Sequence, residues 1–256
     1  MSNISMIKQE KLRALLKYTD IESHWFKQVS STNQLLKQHL ANTSLTAPQL
    51  ILSDQQTSGY GTHKRHFISG LGGMYFSLAV NIAGLKTSNI GLLTTGIAWQ
   101  LHQVIQQIFQ IDTQIKWVND LLLNNKKIAG ILVETIAPTT AIIGIGLNLY
   151  QPHIDKQLTT STNLLSENPA ATSIYNFIAQ LAIQLEQEKD NYLQGAFLTQ
   201  YKKHLVTLGQ QVVVQIGDQQ IRGTAVDVDA KGHLLVKTAH GIKTCTAGEI
   251  KKYLTK

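Results

Sequence analysis

A single cysteine, Cys245, among 256 residues excludes an intramolecular disulfide framework, and no Cys/His spacing resembles a zinc site. Prolines number only four and are scattered, so no Pro-rich linker marks a domain boundary, and neither repeats nor low-complexity tracts are visible. No apolar run approaches the roughly eighteen residues needed to cross a bilayer. The mixed, charged start MSNISMIKQEKLRALLKY lacks the apolar stretch of a signal peptide. These absences lead us to expect a cytoplasmic protein without a membrane partner. Charge is sparse too, at 15% of residues, but unbalanced: the formal net charge is +7. That excess suits an acidic partner or anionic substrate, yet the basic residues are spread along the chain, so nucleic acid is not demanded.

With 43% hydrophobic residues, the chain can bury a substantial domain and a small second one. Residues 5–18 read as a helix with Ser5 as its N-cap and Ile7, Leu12, Leu15 and Leu16 at loosely helical spacing. Only this helix precedes a strand-like run at 24–29. A helix-turn-helix domain needs about three helices, so sequence-specific DNA binding is not expected. Ser30-Ser31-Thr32-Asn33 caps the helix that continues into Leu35 and Leu36. Runs at 49–54 and 74–80 read as strands flanking the Gly-rich stretch SGYGTHKRHFISGLGG. Ile97, Leu101, Val104, Ile105 and Ile108 mark a helix whose Gln-rich remainder would face solvent. Strands follow at 114–117, 121–123, 128–134 and 141–149, with Asn124-Asn125 as a hairpin turn. A second helical region after Ala171, with Ile174, Phe177, Ile178, Leu181 and Leu185 on one face, runs toward His204. Beyond Gly209 short strands separated by Gly217-Asp218, Ala230-Lys231-Gly232 and His240-Gly241 read as a small β-barrel. The expected boundaries are therefore 1–208 and 209–256, in an α/β (α+β) fold.

Candidate chemistry gathers in a few places. Lys127 opens an apolar strand beside Gly130, a place for a phosphate-binding cation, although a solvated lysine after the turn is the plainer reading. Gly59, Gly61, Gly70, Gly72 and Gly73, interleaved with His63, Lys64, Arg65 and His66, suit either a loop closing on an anion or a flexible basic surface loop. The loop matches no P-loop or dinucleotide fingerprint, and Tyr60 or Phe67 would pack it down. Asn119-Asp120 after Lys116-Trp117 is a ligand-binding pair or simply a turn. Gly144 and Gly146 would let something flat pack against a buried strand. The nine histidines show no partner spacing, and no Ser/His/Asp set is defensible.

Taken together, Ser31-Thr32-Asn33, Asp54-Gln55-Gln56-Thr57 before the Gly-rich loop, Lys116-Trp117-Val118-Asn119-Asp120, the block from Lys127-Ile128-Ala129-Gly130 to Glu134, and Gly144-Ile145-Gly146-Leu147-Asn148 resemble, in order and spacing, the biotin protein ligase family. Ala247-Gly248-Glu249 and the terminal strands look like its small SH3-like C-terminal β-barrel, and the residues before 24 like a member lacking the DNA-binding repressor domain. The resemblance implies a central mixed β-sheet of the biotin/lipoate ligase type. It implies formation of biotinyl-5'-AMP from biotin and ATP, with Mg²⁺, and transfer to a lysine of the biotin carboxyl carrier protein of acetyl-CoA carboxylase. By the same resemblance Lys127 is catalytic. Ser31, Thr32, Asn33, Gln56, Gly59, Tyr60, Gly130, Gly144 and Gly146 would bind biotin. Thr62, His63, Lys64, Arg65, Trp117, Asn119, Asp120, Lys127 and Asn148 would bind ATP or the adenylate. No protein metal site is implied, and the chain would be a monomer or homodimer. Two departures stand out: Tyr60 and Thr62 occupy positions where the family has arginines, with Lys64 and Arg65 expected to supply part of that charge, and Val118 occupies the usual proline position. A lipoate-type ligase and a non-catalytic basic adaptor are the competing readings.

Overall fold

The computed structural model describes residues 3–151 and 160–254. In chain order the elements are α1 (Asn3–Leu16), β1 (Glu22–Phe26), α2 (Thr32–Leu40), β2 (Gln49–Ser53), β3 (Met74–Asn81), α3 (Ile90–Phe109), β4 (Gln114–Lys116), β5 (Asp120–Leu123), β6 (Lys126–Ala137), β7 (Thr140–Leu147), α4 (Ala171–Glu188) and α5 (Leu198–His204). Five strands complete it: β8 (Gln211–Ile216), β9 (Gln219–Val228), β10 (Leu234–Thr238), β11 (Gly241–Cys245) and β12 (Glu249–Leu254). The first seven strands form one mixed sheet in the order β1-β2-β3-β7-β6-β5-β4, parallel only between β1 and β2.

Strands β3 and β7 are central, and their sequences MYFSLAVN and TAIIGIGL are nearly continuous in small and apolar residues because both faces are covered. On one face Met74, Phe76, Leu78 and Val80 with Ala141, Ile143, Ile145 and Leu147 enter the main core, against Leu12 and Leu16 of α1, Ile97 and Leu101 of α3, and Phe177 and Leu181 of α4. Each such aliphatic side chain contributes about 1.5–3 kcal/mol through burial. The other face is divided. Ala79 and Ile142 pack with Ile51 and Leu36 of α2 in a small second cluster, and the remainder, built from Ser77, Gly144 and Gly146, lies under the Gly-rich segment. The sheet thus has a packed half and a bare half on the same face. The bare half is where a ligand can lie.

Several expectations are corrected. Helix α1 begins at Asn3, so Ser5 lies inside it and cannot be the N-cap. The first strand spans Glu22–Phe26, and Val29 makes only an isolated bridge to Gln56. The second long helix does not reach His204: it ends at Glu188, a 3-10 turn follows at Asn191–Gln194, and Gly195 at φ 73° redirects the chain into α5. On α3 the polar residues are not all solvent-facing, since Gln100 and His102 are buried. The terminal strands form a five-stranded antiparallel sheet ordered β11-β10-β9-β8-β12. Among the described residues no pairing joins its edge strands β11 and β12, so the expected barrel closure is not seen. The Asn124-Asn125 turn does take the left-handed conformation at both residues (φ 51° and 62°) that a tight hairpin requires.

The terminal sheet is not an appendage. Val212, Val214, Ala225, Leu234, Val236 and Cys245 belong to the same buried cluster as the central sheet, and the buried Trp117 donates its indole N–H to the Gly232 carbonyl at 3.0 Å. Burial pushes the Cys245 thiol up to about 11, which makes it an inert packing residue. Among the described residues no helix is long and apolar enough to cross a membrane.

Candidate active site

The bare half of the sheet is a patch of backbone. Gly130 of β6 pairs in register with Gly146 of β7, and Leu132 with Gly144. Because side chains alternate across a strand, Gly130, Gly144 and Gly146 all expose backbone on the α2 side.

One end of the patch is closed by polar groups at the start of α2. Ser31 caps that helix, its Oγ accepting from the Gln34 N–H at 3.4 Å. The Thr32 N–H donates to Gln56 Oε1 at 2.8 Å. Ser77 Oγ donates to Asn33 Oδ1 at 2.5 Å and lies 2.7 Å from Thr32 Oγ1. Asn33 Nδ2 donates in turn to Glu134 Oε2 at 2.9 Å. Glu134 gathers two more partners, the Lys37 ammonium at 2.5 Å and the Tyr60 hydroxyl at 3.0 Å. Burial works to lower the Lys37 pKa, but Glu134 and Tyr60 outweigh it and the net shift is upward, so this ammonium stays charged. Burial, moderated by Lys37, raises the Tyr60 phenol, which stays a neutral donor. The result is a rigid network in which each buried polar group has a partner.

The Gly-rich segment forms the roof. Gly59 is buried, and Gln56 Nε2 donates to Ser69 Oγ at 3.0 Å, which donates to the Phe67 carbonyl at 2.9 Å. The Phe67 ring lies on the floor: a Cβ built at Gly146 would sit 2.5 Å from its Cε1. Ser31, Thr32, Asn33, Gln56, Tyr60, Phe67, Asn119, Lys127 and the three floor glycines therefore enclose a cavity with only about 50 Å³ of free space.

Beyond the Phe67 ring the cavity continues on the side of the terminal sheet. A second space of about 180 Å³ is lined by Thr62, Arg65, Lys116, Trp117, Asn119, Asp120, Lys127 and Glu249. A third, also about 180 Å³, is lined by His66, Phe67, Lys127, Asn148 and Gln151. Lys127 lines all three. Its Nζ is 2.6 Å from Asp120 Oδ1 and would touch a Cβ at Gly130 at 3.1 Å, so the aspartate and the bare strand together aim the ammonium at the junction. Lys116 brings a further ammonium group to the second cavity. Burial lowers its pKa, Asp120 opposes that, and Lys127 adds to it, as expected for two ammonium groups sharing one carboxylate.

The remaining expected site residues are distributed unevenly. Asn119 is committed to the backbone, its Nδ2 donating to the Ile131 carbonyl while its own carbonyl accepts from Ile131 N–H, each at 2.9 Å. It therefore shapes the turn into β5, next to the cis peptide between Trp117 and Val118. Asn148 is buried and donates to the Thr162 carbonyl at 3.3 Å. His63 and Lys64 are exposed, in left-handed conformations, and line none of the three cavities. Arg65 reaches the second cavity but is paired at 2.5 Å with Glu249 of β12. Of the two residues expected to supply loop charge, Arg65 therefore lines the second cavity while paired with Glu249, and Lys64 lines none of the three. Burial would raise Glu249, but Lys251 and Arg65 overcome it and lower its pKa. Sequence reasoning did not assign Lys37, Ser77, Lys116, Glu134 or Glu249 to the site. Only Lys116, Glu134 and Glu249 carried any signal, as members of the quoted blocks.

A family model described as the biotin/lipoate A/B protein ligase family matches residues 25–148, and one described as the biotin protein ligase C-terminal domain matches residues 207–253. The "Bifunctional ligase/repressor BirA" of Bacillus spizizenii is 29% identical over 240 residues, which is 88% of this chain and 72% of that protein. The "Biotin--[acetyl-CoA-carboxylase] ligase" of Mycobacterium tuberculosis is 25% identical over 232 residues, 87% of this chain and 86% of the relative. Among solved structures, the biotin protein ligase from Aquifex aeolicus in complex with biotin and ATP superposes with a TM-score of 0.74 at 26% identity, covering 90% of this chain and 97% of the other.

Proposed function

The chain belongs to the biotin/lipoate A/B protein ligase family as a biotin protein ligase, and on that premise we propose how its own residues join biotin, ATP and a carrier lysine. The observation that carries the reading is the position of Lys127 where the three cavities meet. The carboxylate of a ligand on the glycine floor and the α-phosphate of a nucleotide under β12 would come together at its ammonium. In the first step the carboxylate oxygen attacks the α-phosphorus and pyrophosphate leaves, giving biotinyl-5'-AMP. In the second the ε-amine of a carrier lysine attacks the acyl carbon, and AMP leaves. Negative charge grows at the α-phosphate and then at the carbonyl oxygen, and one fixed cation can stabilise both.

The polar end of the first cavity favours biotin over lipoate. Ser31, Thr32, Asn33 and Gln56 offer further donors and acceptors to a ureido ring, whereas a dithiolane could use none of them. The bicyclic ring needs more than the 50 Å³ now free, so the Phe67 ring that covers Gly146 would have to move off the floor on binding. Mg²⁺ fits the nucleotide cavity as an ion brought in by ATP. The carboxylates there, Asp120 and Glu249, already hold Lys127 and Arg65, so the ion would rely chiefly on phosphate and water oxygens, and it would screen the triphosphate charge. In this reading residues 1–208 form the catalytic domain and 209–256 the C-terminal domain. The acceptor would be the biotin carboxyl carrier protein of acetyl-CoA carboxylase, the enzyme named in the mycobacterial relative.

The test is the mass of an apo carrier domain after incubation with the protein, biotin, ATP and Mg²⁺, beside a Lys127→Ala variant and a lipoate control. A biotin-sized gain that needs ATP and slows by about 10²–10³ in the variant supports the reading. A gain with lipoate instead, or no gain with either acid, refutes it.

A further inference from the structure

On the face of the sheet opposite the ligand cleft, three side chains meet: His102 in α3, Asp112 in the turn after it, and, from far along the chain, His204 at the end of α5. One ligand atom from each lies within 4.8 Å of the others. His204 Nδ1 is 3.7 Å from Asp112 Oδ1, and the two imidazole centroids are 4.3 Å apart. From this arrangement we infer that the chain carries a second, structural site for a divalent transition metal ion, zinc by ligand type, held by His102, Asp112 and His204 with water completing the shell.

Two imidazoles and a carboxylate are a borderline-soft donor set suited to zinc rather than to magnesium. Zinc bonds of about 2.0–2.2 Å in a tetrahedron put ligand atoms roughly 3.3–3.6 Å apart. The His204–Asp112 separation of 3.7 Å lies just beyond that range, and the shell closes by rotation of the two outer side chains, of which Asp112 is 76% exposed and His204 31%. His102, only 4% exposed, is the fixed member. Thr113 Oγ1 lies 2.9 Å from its Nδ1, an orienting contact of the kind that metal-binding histidines have when the ion takes the other ring nitrogen. Trp99 stacks on His102 at 5.1 Å and borders His204 at 5.4 Å, forming the apolar wall.

The ligands also sit on anchored backbone. Gln110, at φ 57°, closes α3 by donating to the Gln106 carbonyl at 3.0 Å and so presents Asp112. The end of α5 is joined to β4 by Val206 N–H donating to the Ile115 carbonyl at 3.0 Å. A bound ion would therefore clamp α3, the turn before β4 and the segment entering the terminal sheet. None of the three ligands lines a cavity of the cleft, so the ion stabilises the fold and takes no part in the chemistry.

The test uses the untagged full chain, stripped with a chelator and titrated with Zn²⁺ by calorimetry without ATP or Mg²⁺, with thermal unfolding in parallel. One ion per chain and a melting temperature about 5 °C higher at a hundredfold excess over Kd are expected. Asp112→Asn, at an exposed side chain, leaves the metal-free melting temperature unchanged and weakens binding at least tenfold, as does His204→Gln. Failure to bind one equivalent, or binding of one equivalent unchanged in both variants, overturns the site.

Discussion

Adding one methyl group at each of two neighbouring floor glycines should give very unequal stability costs and the same binding outcome. A Cβ at Gly144 would lie 2.3 Å from Asn33 Oδ1 and 2.8 Å from both Cγ and Nδ2. Asn33 is 5% exposed and cannot leave without giving up the hydroxyl of Ser77 and the carboxylate of Glu134. Overpacking of this kind costs about 1–3 kcal/mol, and a hydrogen bond to a charged group contributes about 1.5–3 kcal/mol. The two overlap, since a partial retreat relieves the clash by stretching the bonds, so Gly144→Ala should lose about 2–4 kcal/mol. At this chain length that is a fall in melting temperature of about 5–10 °C. The Cβ at Gly146 meets only the Phe67 ring, at 2.5 Å. That ring belongs to a loop with two residues in left-handed conformations, His63 and Lys64, and it can lift away, so Gly146→Ala should cost under about 1 kcal/mol. Both methyl groups would nevertheless occupy the space of the ligand ring, and biotin affinity measured by calorimetry should fall at least a hundredfold in each. Equal melting temperatures for the two variants, or undiminished biotin binding in Gly146→Ala, would refute the floor-and-roof geometry.

Other perturbations probe the roof and the terminal sheet. Tyr60→Phe removes the 3.0 Å bond to Glu134 and should speed loss of biotinyl-adenylate by up to about tenfold, read by filter retention of labelled adenylate. Arg65→Ala and Glu249→Gln break a pair whose arginine is 50% exposed. A double-mutant cycle on melting temperature should find coupling below about 1 kcal/mol at physiological salt, while both variants speed proteolysis within residues 59–73. Burial pushes Asp229 upward, but the backbone N–H groups of His233 and Lys231 overcome this and hold its pKa below the ordinary carboxylate value. Its contribution is therefore complete above that ordinary value and is lost as pH falls through the lower folded-state value. Asp229→Ala should lower stability at pH 7 by about 1 kcal/mol and flatten the acid limb below about pH 4 in denaturant melts; an unchanged acid limb would contradict the assignment.

How far the site could be read from the chain depends on what each residue needs. Ser31 caps a helix it immediately precedes, and Lys127 follows a two-residue turn whose asparagines adopt the required positive φ. These roles are set by neighbours in sequence, and spacing exposes them. The seven-stranded order was not deducible in the same way, because β3 and β7 become neighbours only after the chain has passed through β4, β5 and β6. Asn33 and Glu134, 101 residues apart, meet through that crossing. Arg65 and Glu249, 184 apart, meet only when the terminal sheet docks. Neither pair has a periodicity to betray it. Trp117 combines two roles: it lines the second cavity, as an aromatic in a motif rich in polar residues suggests, yet it is only 2% exposed and its indole N–H is donated to Gly232. The same docking that hides Trp117 brings Glu249 and Ile250 over Lys116 and Asp120. The terminal sheet is therefore part of the second cavity, the proposed nucleotide site, and a chain cut at residue 208 would lose both a wall of the cleft and the burial of the strand that supplies Lys116. Such a truncation should abolish adenylation even where the central sheet still folds.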